Sequence, residues 1–530
     1  MITVWLSVNS NAFAQKDTRP NVLFILADDM GFSDAGCYGG EINTPNIDRL
    51  ARGGLRFTQH YSTGRCWPSR AAILTGYYPQ HVQRDSVLDI ELGTRPEWAK
   101  LLPDLLKAYG YQSYHSGKWH LDGKPTENGF DRSWGSKEYH GAGDDRYFAT
   151  PGWKEDDLER DVAEGEQYYS TIALVDHAIA CLRLHEKDHK DEPFFQYLAF
   201  YSPHFPLHAL QVDINKYRGV YKKGWDVVRE ERFKKMKEKG LVNTELSSRE
   251  EGIVPRWNLS EEELQEKIGP GEAAWAVAWD TLTEEQKHHQ ATKMAIHAAM
   301  ITRMDTEIGR VIKQLEKMDA YDNTLIFFAS DNGASAEQII RGDLHDKTVP
   351  LGSARSYVCL GPGWSTAANT PFKLHKHWNH EGGISSPLVV HWPDGIQARG
   401  ELRTDVSHFI DIAPTILELA GGKLPEQTDK GIALPRPPGI SLVDTFGRDG
   451  STQHESLWWY HQGNRALRRG DWKISAKSES ENDSGPWELY NLEADRAEMQ
   501  NLAEKYPEKV KELAAEWEKT VEGFRGDLKK

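Results

Sequence analysis

Two stretches of the chain are apolar at nearly every position. Asn21 to Ala27 (Asn-Val-Leu-Phe-Ile-Leu-Ala) and Thr324 to Ser330 (Thr-Leu-Ile-Phe-Phe-Ala-Ser) show no polar alternation. Such runs predict strands covered on both faces, as in a parallel sheet. Pro193 to Phe200 has the same texture, and Tyr111 to His115, Ser386 to His391 and Phe57 to Tyr61 read as further strands. Between them the period lengthens to that of a helix. His288 to Lys317 repeats Met294, Ile301, Ile308, Val311, Ile312 and Leu315 at helical spacing, which predicts a long amphipathic helix with Met304 in the core. Pro96 to Ala108 and Asp411 to Leu419 are spaced as helices. Thr44-Pro45 opens another, with Thr44 as N-cap and Pro45 in its first position. Beyond the proline-rich Leu434 to Pro438 the texture changes. Short strands with turns are expected over Leu457 to Trp472 and Trp487 to Leu492, then a closing helix over Pro507 to Val521.

Strands alternating with helices predict an α/β protein. We expect a large, mostly parallel central sheet sandwiched by helices, and a smaller C-terminal α+β subdomain with an antiparallel sheet. The boundaries expected are a leader over 1–18, a main domain over 19–449 and the subdomain over 450–530. Lys222 to Gly271 is polar and charge-rich and reads as an insertion at the sheet edge. Its run Glu230-Glu231-Arg232-Phe233-Lys234-Lys235 reads as a solvated helix face, with contact to an anionic substrate as the competing reading.

Composition narrows the class. Apolar residues make up 38% of the 530 and charged residues 27%, which suits an ordered chain with a substantial core. The net charge is −16, from 64 basic and 80 acidic residues. An acidic chain is a poor general ligand for nucleic acid or anionic membrane, so an anionic substrate would need a locally positive pocket. No apolar run reaches the length of a membrane span. Four cysteines, with no C-x-x-C pair, argue against a disulfide framework or a structural zinc. Ala12-Phe13-Ala14 has the form of a signal-peptidase site. Residues 1–18 therefore read as a truncated signal peptide, with a plain N-terminal tail as the alternative, and the protein as periplasmic or secreted.

The candidate chemistry sits where the buried strands end. Asp28-Asp29 follows the first strand, and Asp331-Asn332-Gly333 follows Thr324 to Ser330. In one parallel sheet both would lie along the same edge, where α/β sheets place ligands. Three carboxylates and an amide oxygen suit a hard cation such as Ca²⁺ or Mg²⁺; a solvated loop start is the competing reading of the first pair. Gly64-Arg65-Cys66-Trp67-Pro68-Ser69-Arg70 precedes an apolar helical run. It puts Cys66 at a positive helix end, with Arg70 one turn later on the same side. Cys66 then reads either as an activated thiol or as a small buried hydrophobe. Lys118 and His120 follow another strand and suit an anion and a nucleophile, or simply the surface. His204 stands between Pro203 and Phe205-Pro206 at a strand end, which suits general acid work or a structural histidine. Lys376 precedes Glu381-Gly382-Gly383, whose glycines suggest close backbone approach. The neighbouring His375, His377 and His380 are set aside as zinc ligands, because the carboxylate and amide set is harder.

Cys66-x-Pro68-Ser69-Arg70, with Leu74-Thr75-Gly76, resembles the signature of the type I sulfatases. So do Asp28-Asp29, Gly117-Lys118-Trp119-His120, Pro203-His204-Phe205-Pro206, Asp331-Asn332-Gly333 and Lys376 ahead of Glu381-Gly382-Gly383. These windows keep the family's order from about Arg19 to Phe524, and within the family the chain is most similar to bacterial arylsulfatases. The resemblance implies the alkaline phosphatase fold and hydrolysis of sulfate esters, of a small molecule or a carbohydrate. It implies that Cys66 is oxidised to formylglycine by a maturation enzyme and that its hydrate attacks sulfur. It implies one Ca²⁺ held by Asp28, Asp29, Asp331, Asn332 and residue 66. Arg70, Lys118 and Lys376 would neutralise the sulfuryl group, His120 would bond the nucleophile, and His204 would protonate the departing alcohol. A phosphodiester or phosphonate ester hydrolase on the same fold, and a glycan-binding protein with unconverted Cys66, are the alternatives.

Overall fold

The computed structural model describes residues 19–136, 147–148, 153–156, 158–160, 168–342, 344–428, 430–480 and 483–528. The expected leader over 1–18 lies outside them. Among the described residues ten strands form one sheet. Its order is Glu401–Arg403, Leu55–Phe57, Leu388–His391, Thr324–Ser330, Asn21–Asp28, Phe194–Pro203, Gln112–Gly117, Arg132–Ser136, Trp153–Glu155 and Leu158–Arg160. The five strands from Thr324–Ser330 to Arg132–Ser136 are mutually parallel. Antiparallel pairs flank this centre on both sides, so the sheet is mixed with a parallel middle.

The unbroken apolar texture of Asn21–Asp28 follows from its surroundings. Leu23, Ile25 and Ala27 enter a core shared with helices Ser170–Asp188 and Glu284–Lys317. Val22, Phe24 and Leu26 enter the opposite core, with helices Cys66–Thr75, Ile412–Leu419 and Pro507–Leu528. Both faces are covered, so alternate residues have no reason to be polar. In Glu284–Lys317 the residues at helical spacing, Met304 included, are buried. That helix begins before His288, because Thr283 and Gln286 form a reciprocal capping box.

Several local expectations are corrected. Pro96 to Ala108 is helical only over Leu102–Leu106, with a 3₁₀ turn after it. Phe57 to Tyr61 divides into Leu55–Phe57 and His60–Tyr61, which join different sheets. Pro45 does start its helix, but Thr44 does not cap it; its hydroxyl accepts from the Gly36 amide and bonds Asp48. The charged run in helix Gly224–Glu238 is not wholly solvated. Arg232 is fully buried and pairs with Asp34 at 2.7 Å and Glu41 at 2.8 Å, which ties the inserted segment to the loop after the first strand.

Leu457–His461, Asn464–Arg469, Trp472–Ala476 and Glu488–Asn491 form a separate antiparallel sheet. It is stitched to the larger sheet's surroundings. Trp459 Nε1 donates to the Ser62 carbonyl at 2.8 Å, and buried Lys473 pairs with Glu381 at 2.9 Å.

Candidate active site

The parallel centre delivers the site. Thr324–Ser330, Asn21–Asp28, Phe194–Pro203 and Gln112–Gly117 are successive neighbours, so their C-terminal ends share one edge. Ala27 is in register with Ser330, and Asp28 with Pro203. The residues following each strand therefore emerge side by side: Asp29 next to Asp331 and Asn332 on one flank, His204 and then Lys118 on the other. The Asp331 amide donates to the Ala27 carbonyl at 3.1 Å, and the Lys118 amide to the Ala199 carbonyl at 2.8 Å. Asp29 takes a positive φ of 66°, a region that costs a non-glycine residue energy and recurs at functional sites. Its amide donates to Asp331 Oδ1 at 3.3 Å, and its Oδ1 accepts from Asn332 Nδ2 at 2.7 Å.

Cys66 is the first residue of helix Cys66–Thr75, after Arg65 in extended backbone. Ser69 Oγ accepts from the Thr63 amide at 3.1 Å, closing the turn before the helix. Arg70, one turn on, donates to Asp331 Oδ2 from Nη2 at 2.8 Å and to the Lys118 carbonyl from Nη1 at 2.7 Å. Lys118 Nζ donates to Asp28 Oδ2. Lys376 Nζ donates to Asp29 Oδ2 at 2.8 Å and lies 3.4 Å from Glu337. Its loop is drawn tight by Gly382 and Gly383, where an added Cβ would lie about 2 Å from the backbone oxygens of Leu374 and Trp378. His204 Nε2 is 3.7 Å from Asp29 Oδ2, while its Nδ1 donates to the Phe205 carbonyl at 2.6 Å. His120, at a positive φ of 55°, packs edge-on against Trp67 and makes no hydrogen bond to Cys66. Nearly all the expected site residues are thus gathered; His120 meets Trp67, the residue after Cys66, and does not bond Cys66 itself.

Every group here is deeply buried, so its charge is set by the balance between burial and its neighbours. Burial acts against the Asp28 charge, but Lys118, Arg70 and Lys376 outweigh it and hold the carboxyl below its ordinary range. Burial wins at Asp29, whose carboxyl is raised despite Lys376. Burial and then the Asp28 charge push Asp331 up to about 7, against Arg70. Burial raises the Cys66 thiol although Lys118 and Lys376 oppose it. A thiol held protonated is a poor nucleophile, which corrects the activated-thiol reading. Burial, then Lys118 and Arg70, push His120 far down; burial, then Lys376 and Lys118, do the same to His204. Both imidazoles rest neutral.

The donor set fits a hard cation. Asp28 Oδ1 and Asn332 Oδ1 are buried oxygens with no hydrogen-bond partner. A ligand atom of Asp28, one of Asp331 and Cys66 Sγ all lie within 4.8 Å of one another. Orphaned buried acceptors are costly unless a partner arrives, and a divalent ion would also relieve the repulsion that adds to burial in raising Asp29 and Asp331. The three histidines set aside as zinc ligands diverge: His375 bonds Ser365, His380 bonds Glu488, and His377 packs on Trp257.

One site residue was invisible in the sequence. Glu337 is buried between Lys376 and Arg65, which is 3.3 Å away, and accepts from Trp257 Nε1 at 2.9 Å and Ser335 Oγ at 3.0 Å. Burial opposes its charge, but Arg65 and Lys376 hold it well below the usual range. Its nearness to Asp331 in sequence was the one available signal; Arg65 and Trp257 reach it only through the fold.

Comparison with known proteins identifies the family. Residues 20–422 match the family profile described as Sulfatase, and residues 373–526 match that described as N-sulphoglucosamine sulphohydrolase, C-terminal. The chain is 31% identical to an uncharacterized sulfatase of Schizosaccharomyces pombe, over 94% of this chain and 93% of the relative. It is 30% identical to an arylsulfatase of Klebsiella aerogenes, over 82% of this chain and 92% of the relative. Among solved structures, an enzyme in complex with its substrate D-glucosamine-2-N,6-O-disulfate shares the fold. Its TM-score is 0.62 at 23% identity, covering 96% of this chain and 99% of that one.

Proposed function

The chain belongs to the sulfatase family and is a sulfate ester hydrolase, and from that premise we propose how its own residues carry the reaction. The single observation behind the proposal is the pair of orphaned oxygens, Asp28 Oδ1 and Asn332 Oδ1, buried at the sheet edge where Asp28 and Asp331 stand beside Cys66. Asp28, Asp29, Asp331, Asn332 and residue 66 would hold one Ca²⁺. The ion would supply Lewis-acid charge, and residue 66, oxidised to formylglycine and hydrated, would supply the attacking oxygen and a second hydroxyl through which sulfate leaves. Among the described residues no helix is long and apolar enough to cross a membrane. We place maturation, by a formylglycine-generating enzyme, before or during export to the periplasm or beyond. The catalytic unit is 19–449, and the sheet after 450 supports it.

Arg70, Lys118 and Lys376 bring three fixed positive charges to one pocket of an acidic protein. Preorganised charge of this kind stabilises a sulfuryl group as its oxygens gain negative charge. His204 acts on the leaving oxygen. Its Nδ1 proton is committed to the Phe205 carbonyl, so Nε2 is the nitrogen that exchanges a proton with substrate. Burial, with Lys376 and Lys118 behind it, keeps the ring neutral; an anionic sulfuryl group would offset the lysines and raise its proton affinity when substrate is bound. Nε2, bare while the ring is neutral, would take up a proton from solvent as the anionic substrate binds, and when the sulfur–oxygen bond breaks the alcohol leaves with that proton. Neutral His120 has an unpartnered Nδ1 and would orient the nucleophile.

The test is mass spectrometry of the tryptic peptide Cys66–Arg70 together with rates on aryl sulfate and aryl phosphate esters. Aldehyde at residue 66 with preference for the sulfate ester is expected. Intact thiol in active protein would overturn the nucleophile, and preference for the phosphate ester would favour the phosphodiester or phosphonate hydrolase. Glycan binding without turnover at full conversion would favour the binding protein.

A further inference from the structure

Glu337 is buried at the active site, 3% exposed, and no step of the reaction above uses it. Each of its carboxylate oxygens serves two neighbours. Oε1 accepts from Trp257 Nε1 at 2.9 Å and from Arg65 Nη2 at 3.3 Å. Oε2 accepts from Ser335 Oγ at 3.0 Å and stands 3.4 Å from Lys376 Nζ. A desolvated carboxylate shared by two cations and two neutral donors is held in one place.

The backbone on either side is laced to the loop that carries Lys376. The Lys376 amide donates to the Ala334 carbonyl at 3.1 Å, and the Gly333 amide to the Gly383 carbonyl at 3.0 Å. The Ala334 amide donates to Asn369 Oδ1 at 2.8 Å. Ser335 Oγ accepts from the Glu337 amide at 3.2 Å. The segment that follows Asp331 and Asn332 therefore turns back and returns its carboxylate to Lys376.

Charge explains why a carboxylate stands there. Arg65 directly precedes residue 66, and its positive charge opposes that of Lys376; a shared anion offsets the repulsion where they converge. Asp29, the other seat of Lys376, also serves Asn332 Nδ2 at 2.7 Å and lies 3.7 Å from His204. A lysine tip on a flexible four-carbon stem swings about a single anchor. Anchors from two separate loops, with the Phe205 ring 5.6 Å away on a further side, fix it.

We propose that Glu337 is a positioning residue: by bridging Arg65 and Lys376 it aims the Lys376 ammonium at the sulfuryl group, and Trp257 ties the inserted segment into that arrangement. The proposal rests on the sulfatase reading for what Lys376 faces. Glu337 is negative and accepts hydrogen bonds only, so it acts through Lys376 and not on the anionic substrate. Charge alone predicts that removing it would tighten anion binding; positioning predicts the reverse.

The test is a double-mutant cycle on the full chain. Glu337→Gln keeps the side chain's size and removes its charge. It should lower kcat/KM on 4-nitrophenyl sulfate by about 10–100-fold, the scale of a misplaced catalytic group. In a Lys376→Ala background the same change should cost less than about twofold, because nothing is left to place. Trp257→Phe takes one donor from Glu337 and leaves both ion pairs. It should cost about two- to fivefold, again only while Lys376 is present. Calorimetry with inorganic sulfate reads the same cycle without turnover: Glu337→Gln should weaken binding several-fold, and should not weaken it further once Lys376 is gone. Equal losses in both backgrounds, a Glu337→Gln chain as active as the wild type, or tighter sulfate binding would overturn the proposal. A wild-type chain that carries the aldehyde and is inert on sulfate esters would overturn the sulfatase reading instead, and the sulfate-binding cycle would still decide Glu337.

Discussion

At residue 66 a single atom decides the chemistry. A sulfur beside Asp28 and Asp331, cut off from water, is held as a thiol; oxidation to an aldehyde exchanges it for oxygen nucleophiles that need no thiolate. The cations around it do not substitute for one another, since each is seated on a different carboxylate: Arg70 on Asp331, Lys118 on Asp28, Lys376 on Asp29. Lys376→Ala should lower kcat on an aryl sulfate by roughly 10²–10³, the range for removing one preorganised donor, with unchanged circular dichroism as the control. Asn332→Ala leaves the carboxylates in place but removes an orphaned oxygen. It should weaken Ca²⁺ binding by at least ~10-fold, measured by calorimetry on chelator-treated protein. Unchanged affinity would show that the amide oxygen is not a ligand.

Among the elements, helix Glu284–Lys317 carries much of one core, and its first turn is fixed by reciprocal bonds. Thr283 Oγ1 accepts from the Gln286 amide at 3.2 Å, and Gln286 Oε1 from the Thr283 amide at 3.0 Å. Thr283→Ala should cost about 1 kcal/mol in urea unfolding with activity untouched, since no site residue lies on that turn. The strands were the most legible elements, because burial on both faces writes an unbroken apolar run. Short pieces were least legible. Leu102–Leu106 is too brief to impose a period, and Arg232 looks like any surface arginine until Asp34 and Glu41 are brought to it.

For the whole molecule, the C-terminal sheet is joined to the rest of the chain by buried charge. Lys473 pairs with Glu381 and Glu498, each at 2.9 Å, and Arg496 pairs with Glu381 at 2.9 Å. Burial would raise the Glu381 carboxyl, but Lys473 and Arg496 outweigh it and lower it to about 2. A folded pKa below the unfolded value of about 4.3 stabilises the fold above that pH. The contribution is lost as pH falls from there toward about 2. Acid unfolding should therefore steepen in that window, and Glu381→Gln should flatten it. Lys473→Met leaves two buried carboxylates short of a partner and should cost about 3–5 kcal/mol, read as a fall in Tm at neutral pH. An unchanged Tm would mean that the joint contributes nothing to stability.

The sequence by itself determined the strands, the long helix, the acidic ends of two strands and the cysteine at a helix start. All of these are local, since burial, capping and turn chemistry act over a few residues. It also carried the family signature around Cys66. Only the tertiary structure decided that Ala27 and Ser330 stand in register, which sets Asp28 beside Asp331. It alone brought Glu337, Arg65 and Trp257 together. Those contacts join residues far apart in the chain, and no local pattern encodes them, because their energy comes from desolvated charge that exists only once the sheet edge is assembled.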